Sequence, residues 1–309
     1  MDRLIEAIEE AQNPSVVGLD PTPALVPPQV VDSFTDEVRE SIEDESELPA
    51  ARLAVAYFEF NRAIIDAVAD IVPAVKPQIA MYEAIGPAGV DTYTMTCEYA
   101  QQQGLYVLGD IKRGDIGSTA AAYAGHLSGV TDGDGLYDPW HEDAVTVNPY
   151  LGTDGITPFV EAATAHDKDI FVLVRTSNPS SSELQELELA GVEKLYETIG
   201  RHGYSHVGAV VGATHPQEGK ALRARMPHTF FLVPGYGAQG GKAGDVAGMF
   251  DADGSGAIVN SSRGIIGAWR KSEEYREDMS ADDALDLVAR CARKAAQDMR
   301  DDLRVNVYR

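Results

Sequence analysis

LYVLGDIKRGDIGST, residues 105–119, is an apolar run that ends in a crowd of charges. Tyr106, Val107 and Leu108 lead into Asp110, Lys112, Arg113 and Asp115, then into Ile116 and Thr119 at the head of an Ala-rich, helix-like segment. Residues two apart on a strand project from one face. Asp110 and Lys112 are therefore expected together at a strand's carboxyl end, with Asp115 in the turn beyond. Opposite charges so placed favour their ionised forms and orient each other.

Seven further apolar, β-branched runs surround this one. They are residues 15–20 (SVVGLD), 71–78 (IVPAVKPQ), 144–150 (AVTVNPY), 169–177 (DIFVLVRTS), 206–214 (HVGAVVGAT), 229–235 (TFFLVPG) and 256–264 (GAIVNSSRG). Most are followed by a helix-like stretch, and continuous apolar runs between helices read as buried parallel strands. Eight units in 309 residues fit a single-domain α/β fold, the (β/α)8 TIM barrel. An open doubly wound sheet would gather its site at one switch point. Here polar and Gly-rich residues end nearly every run, which favours the barrel.

Helical spacing of Leu53, Tyr57, Phe60, Ile64 and Val68 predicts a helix within 50–70, and residues 281–303 read as the last helix. Residues 21–47, Pro-rich and then acidic, form an expected excursion after the first strand. Residues 131–143 read as a polar loop before the fourth.

The chain carries 49 acidic against 25 basic residues, a net charge of −24. That balance opposes binding to nucleic acid, which requires phosphate neutralisation. It reads instead as a halophile-type surface whose self-repulsion salt relieves. No apolar run is long enough for a membrane span, and the N-terminal segment reads as a short amphipathic helix without a signal-peptide core, so a cytoplasmic protein is expected. Cys97 and Cys291 make no metal or disulfide pattern and read as buried small hydrophobes.

Two further charged residues end strands. Asp20 follows the first run, where capping a turn before Pro21 is the plain alternative. Lys76 lies in an otherwise apolar strand, where an unpartnered ammonium is costly. In a barrel, strands two and three are neighbours, so Asp110 would partner it. Gly235, Gly237 and Gly240 have G-x-G-x-x-G spacing, but Pro234 interrupts the strand-to-turn junction. A Gly-rich loop after a seventh barrel strand suits a phosphate cradle better than a dinucleotide fold, and Arg263 in NSSRG suits a bidentate phosphate contact. The calcium-like run from Asp251 has Ser262 where a bidentate Glu is needed. His141, Glu142 and Asp143 diverge as chain neighbours, so no metal site is expected.

The pattern D-x-K-R-x-D-I-x-x-T resembles the signature of orotidine 5′-phosphate decarboxylases, which make UMP. GLDP, VKPQ, NPYLG, RTSNP, VPGYGAQGG and NSSRG follow in that family's order. VKPQ, DIKRGDIGST and NPYLG look like its longer bacterial-type subgroup. The resemblance implies a (β/α)8 homodimer with shared active sites, a nucleotide substrate, and no cofactor or metal. It implies that Lys112 donates a proton to C6 of the pyrimidine, that Asp110 faces the departing carboxylate, and that Lys76 binds ribose and orients Asp110. Asp115 and Thr119 would reach into the partner's site, with Ile116 beside them at the substrate. Asp20 would hold the ribose hydroxyls, Ser177 the base, and Pro234, Gln239 and Arg263 the base and phosphate. The alternatives are a magnesium-dependent sugar-phosphate decarboxylase of the same barrel type and a catalytically silent nucleotide-phosphate binder.

Overall fold

The eight apolar runs are the strands of one closed, all-parallel barrel in the order β1-β10-β9-β8-β7-β6-β3-β2. The structure is a computed structural model that describes residues 1–185, 199–237 and 239–307. The barrel strands are β1 (Ser15–Leu19), β2 (Ala74–Pro77), β3 (Tyr106–Arg113), β6 (Ala144–Val147), β7 (Asp169–Arg175), β8 (Val207–Val211), β9 (Phe231–Pro234) and β10 (Ala257–Ser261). The expected polar loop at 131–143 instead contains a small antiparallel hairpin, β4 (Val130–Asp132) and β5 (Gly135–Tyr137). Its turn is Gly133-Asp134 sequence, and the run's polarity hid it because all its strand residues face solvent.

Strand alternation sorts the side chains. Val16, Ala74, Leu108, Ala144, Phe171, Val210, Leu232 and Ile258 form one buried cluster with Leu4, Ile5 and Ile8 of the N-terminal helix Asp2–Ala11. That helix packs its apolar face on this cluster. The intervening residues, among them Val17, Val75, Val107, Val145 and Val259, join the surrounding core with the helices. This second layer includes Tyr57, Phe60, Ile64 and Val68 of helix Leu48–Val68, and Leu287, Val288 and Leu303 of helix Ala281–Val307. Both helices cover the stretches where helical spacing predicts them.

Two residues beyond the inner cluster, the same parity yields polar groups: Lys76 above Ala74, Asp110 above Leu108, Thr146 above Ala144 and Asn260 above Ile258. The carboxyl end of the barrel is thus polar on the face that is apolar below.

The 21–47 excursion folds onto the body. It carries helices Pro28–Ser33 and Thr35–Ser41, buries Val30 and Val31, and is tied down where Trp269 Nε1 donates to Leu25 O at 3.0 Å. Cys97 is buried as expected, but Cys291 is only half-buried, since it lies toward the solvent edge of the last helix. No helix among the described residues is long and apolar enough to cross a membrane.

Candidate active site

Asp110 is the hub. Its Oδ2 accepts from Lys76 Nζ at 2.7 Å and from Gln78 Nε2 at 2.8 Å. Its Oδ1 accepts from Thr146 Oγ1 at 2.9 Å and from Lys112 Nζ. Asp20, just past β1, places Oδ1 3.9 Å from Lys76 Nζ. Two ammonium and two carboxylate groups from three strand ends therefore alternate as Asp20, Lys76, Asp110, Lys112.

Burial alone would raise the Asp110 pKa, but Lys76 and Lys112 outweigh it and hold the carboxyl well below the usual range. Burial would likewise lower Lys76, and Asp110 with Asp20 reverses this and raises it. Both groups are ionised across ordinary pH. Lys76 is almost wholly enclosed, while 42% of the Lys112 side chain is exposed. Of the two ammoniums, Lys112 is the one open to a reactant.

Lys112 does not continue a regular strand. Its φ is 47°, in the left-handed region, and the pairing of β3 with β6 shifts register between Gly109 and Arg113. Simple two-residue alternation, which predicted the Asp110–Lys112 pair, therefore gives the right partners by a different geometry. Such a conformation costs a non-glycine residue about 1–3 kcal/mol and persists only when its surroundings impose it. Here the Lys112 amide donates to Thr146 Oγ1 at 2.9 Å, while that hydroxyl donates onward to Asp110. Thr146 and Gln78 are site residues that sequence reasoning missed. Each carried a signal: Thr146 is the polar residue in an apolar run, as Lys76 is, and Gln78 closes the VKPQ segment.

The other predicted residues divide into two groups. On the β9 side, Gly235 has φ 103°, and a Cβ there would lie 3.3 Å from Gln239 Oε1 and 3.4 Å from Ser177 Cβ. Ser177 and Gln239 thus converge on the turn that follows Pro234. Gly237 and Gly240 also have positive φ, a backbone conformation that glycine adopts without steric cost. Arg263 begins the short helix Arg263–Ile266 and is exposed, and its side chain has no hydrogen-bond or ion-pair partner among the described residues. Nearby, Asp20 Oδ1, Thr214 Oγ1, Asn260 Oδ1 and Ser262 Oγ are buried without a hydrogen-bond partner. Orphaned polar atoms at strand ends are what a polar ligand would satisfy.

On the β3 side, Asp115, Ile116 and Thr119 are not drawn into the Lys76–Asp110–Lys112 line of the same chain. Asp115 Oδ1 accepts from the Ile116 amide at 2.7 Å, Ile116 is 56% exposed, and Thr119 is exposed. Arg113 turns away, ion-paired to Glu83 and lying over the Tyr123 ring.

The family profile described as "Orotidine 5'-phosphate decarboxylase / HUMPS family" matches residues 16–277. The chain belongs to this family. It is 44% identical to the orotidine 5′-phosphate decarboxylase of Rhodopirellula baltica over 283 residues, covering 88% of this chain and 89% of that one. With the enzyme of Clostridium acetobutylicum it shares 38% identity over 317 residues, covering 98% of each. Among solved structures, a protein from Streptomyces avermitilis described as a putative orotidine 5′-phosphate decarboxylase superposes with a TM-score of 0.72 at 29% identity, covering 99% of this chain and 95% of that one. Family membership and the barrel agree with the charged line at the ends of β1, β2 and β3 and with Thr146 of β6 beside it, since no open-sheet switch point would gather residues from all four strands.

Proposed function

We propose that this chain decarboxylates orotidine 5′-phosphate to UMP and CO2, the UMP-forming step of pyrimidine synthesis, without a cofactor. The observation that carries this reading is the alternating line Asp20, Lys76, Asp110, Lys112, with only the last ammonium exposed. Breaking the C6–carboxylate bond leaves an electron pair on C6, where the ring delocalises it poorly. An ammonium held beside that atom stabilises the developing charge and then gives its proton to C6; preorganised electrostatics of this kind is commonly the largest catalytic term. Lys112 fills this role. Asp110, kept ionised by Lys76, faces the departing carboxylate and aims Lys112. Asp20 holds the ribose hydroxyls, Ser177 the base, and Pro234, Gln239 and Arg263 the base and phosphate.

A magnesium-dependent sugar-phosphate mechanism fits less well. Both oxygens of Asp110 already accept from ammonium groups, so a cation there would compete with two lysines. A silent binder would have no use for that line at all.

The active form in this reading is a homodimer, with Asp115, Ile116 and Thr119 completing the partner's site. Ile116, Tyr150 and Leu151 are exposed on the loops after β3 and β6, which lie against each other: a Cβ on Gly155 would come 2.8 Å from Asp115 O. Exposed apolar side chains grouped at a site rim suit a protein contact. Mixing inactive Asp115→Ala and Lys112→Ala protomers then restores activity through heterodimers with one intact site. No recovery, with subunit exchange demonstrated, would remove the shared site. We place the chain in the longer bacterial-type subgroup, on VKPQ and NPYLG, and in a salt-rich cytoplasm, on its charge of −24.

The deciding assay follows the ultraviolet band of orotidine 5′-phosphate with purified protein in molar KCl, with and without EDTA. Loss of the band, unaffected by EDTA and abolished in Lys112→Ala, is the expected result. An inert or EDTA-sensitive protein, shown to be folded, would overturn it.

A further inference from the structure

Behind the site, on the far side of β3, lies a second buried polar cluster that the chemistry above does not use. Glu142 is fully buried, and both of its carboxylate oxygens are bonded. One accepts from the Tyr93 hydroxyl of helix Pro87–Gln102, and the other lies 2.8 Å from His126 Nδ1. The His126 ring, itself buried, stacks on Trp140 with centroids 3.9 Å apart and planes 22° from parallel. Gly109 makes room for the Glu142 carboxylate: a Cβ there would meet Glu142 Oε1 at 2.0 Å.

A carboxylate this deep is costly unless paired and hydrogen-bonded. Its position says what the pairing fixes. Glu142 is rigidly set two residues before β6, while His126 belongs to the chain that leaves β3. From Arg113 that chain runs through Asp115 and helix Gly117–Tyr123 to the short helix Gly125–Ser128, where His126 docks back on the frame. Helix Gly117–Tyr123 is small, and only Ala120 of it is buried. The exposed rim that carries Asp115, Ile116 and Thr119 is thus anchored at one end by β3 and at the other by His126 together with the buried Ala124 and Leu127.

We propose that His126 and Glu142 are positioning residues that act across the dimer. Their hydrogen bond, with Trp140 stacked on the His126 ring, sets the placement of Asp115 in the partner's site rather than the Lys76–Asp110–Lys112 line of its own chain. The inference rests on the shared-site reading.

The test uses full-length protein and the mixing design. His126→Phe keeps the ring on Trp140 and removes the donor to Glu142. Turnover falls by up to about 10²-fold, the scale of a misplacement of about 1 Å, with kcat affected more than KM. His126→Asn, which offers a donor near the Nδ1 position, restores part of it. Mixed with Lys112→Ala, His126→Phe recovers about a quarter of wild-type activity, since half the dimers then hold one intact site of two. Mixed with Asp115→Ala it recovers none.

The reverse pattern, recovery with Asp115→Ala and none with Lys112→Ala, would assign the pair to its own chain's site and overturn the proposal. A lower melting temperature with unchanged kcat would reduce the pair to a structural role and overturn it too. Mixing Asp115→Ala with Lys112→Ala is the control. If that pair fails, the shared site itself is lost; if it succeeds and the His126 pattern does not, only the positioning role is lost. Should His126→Phe not fold, Trp140→Leu, which leaves the His126–Glu142 hydrogen bond and removes its support, carries the same mixing pattern.

Discussion

Lys76→Met tests whether the buried ammonium holds Asp110 in place. At 2.7 Å and an effective dielectric of about 20, the Lys76–Asp110 attraction is on the order of 6 kcal/mol. Desolvation of the two groups, several kcal/mol each, cancels most of that in the wild type, yet removing one partner leaves the other charge buried, at about 3–5 kcal/mol. Asp110 would keep Gln78, Thr146 and the more exposed Lys112, so the loss belongs at the low end, about 3 kcal/mol. With an unfolding entropy of about 2.1 cal/mol/K per residue, a 309-residue chain would melt about 5 °C lower.

The assay is urea unfolding in molar KCl, for Lys76→Met, Asp110→Asn and the double variant. In the Lys76→Met background, Asp110→Asn removes the stranded charge and recovers at least about 1 kcal/mol. Acid supplies a second readout. Asp110 has a lowered pKa in the fold, so its contribution is present above the unfolded value of about 3.9 and is lost as pH falls toward the folded one. The gap between wild type and Lys76→Met therefore stays level from neutral pH to about 5 and narrows below about 4. A Lys76→Met stability within about 0.5 kcal/mol of wild type, or strictly additive single changes, would refute the argument.

Three other outcomes are expected. Lys112→Ala keeps UMP affinity in calorimetric titration and loses turnover, with less than about 1 kcal/mol of stability because the side chain is well exposed; near-normal turnover would end its assigned role. Gly18→Ala costs about 1–3 kcal/mol by urea unfolding, because its Cβ would lie 2.6 Å from Ser262 Cβ and 3.2 Å from Ser262 Cα, which binds β1 to the end of β10; a neutral change would mean these strand ends are slack. The hydrogen bond to Asp169 raises the His206 pKa, so the stability it adds is full below the unfolded value of about 6.5 and fades as pH rises through the folded one. The stability advantage of wild type over His206→Gln should shrink between pH 6 and 9, and an advantage that grows with pH would reverse the assignment.

Much of the barrel was legible because its strands are buried on both faces. A run such as VGAVV has one reading once helices flank it, and parity then lifts Lys76 and Asp110 above the inner apolar layer. Lys76 was legible as a site residue for a plain energetic reason: an ammonium in an apolar strand demands a partner. The hairpin at 130–137 was not legible, since two three-residue strands with no buried face leave no periodic signal. Nor were Tyr93, His126 and Glu142, which lie on two helices and the segment before β6 and meet where Gly109 leaves space behind β3.

By itself, the sequence determined the strand–helix rhythm, the net negative charge and the order of the charged residues along the chain, because each depends only on local pattern and composition. The tertiary structure decided which charges are buried and which are open. It put Lys112 in the left-handed region at φ 47° near the end of β3, set Thr146 to hold that conformation, and left Asp115 bonded to the Ile116 amide rather than to its own chain's lysines. Those outcomes come from barrel closure, which brings β1, β2, β3 and β6 side by side at one end. No local spacing encodes the distance between residues that far apart in the chain.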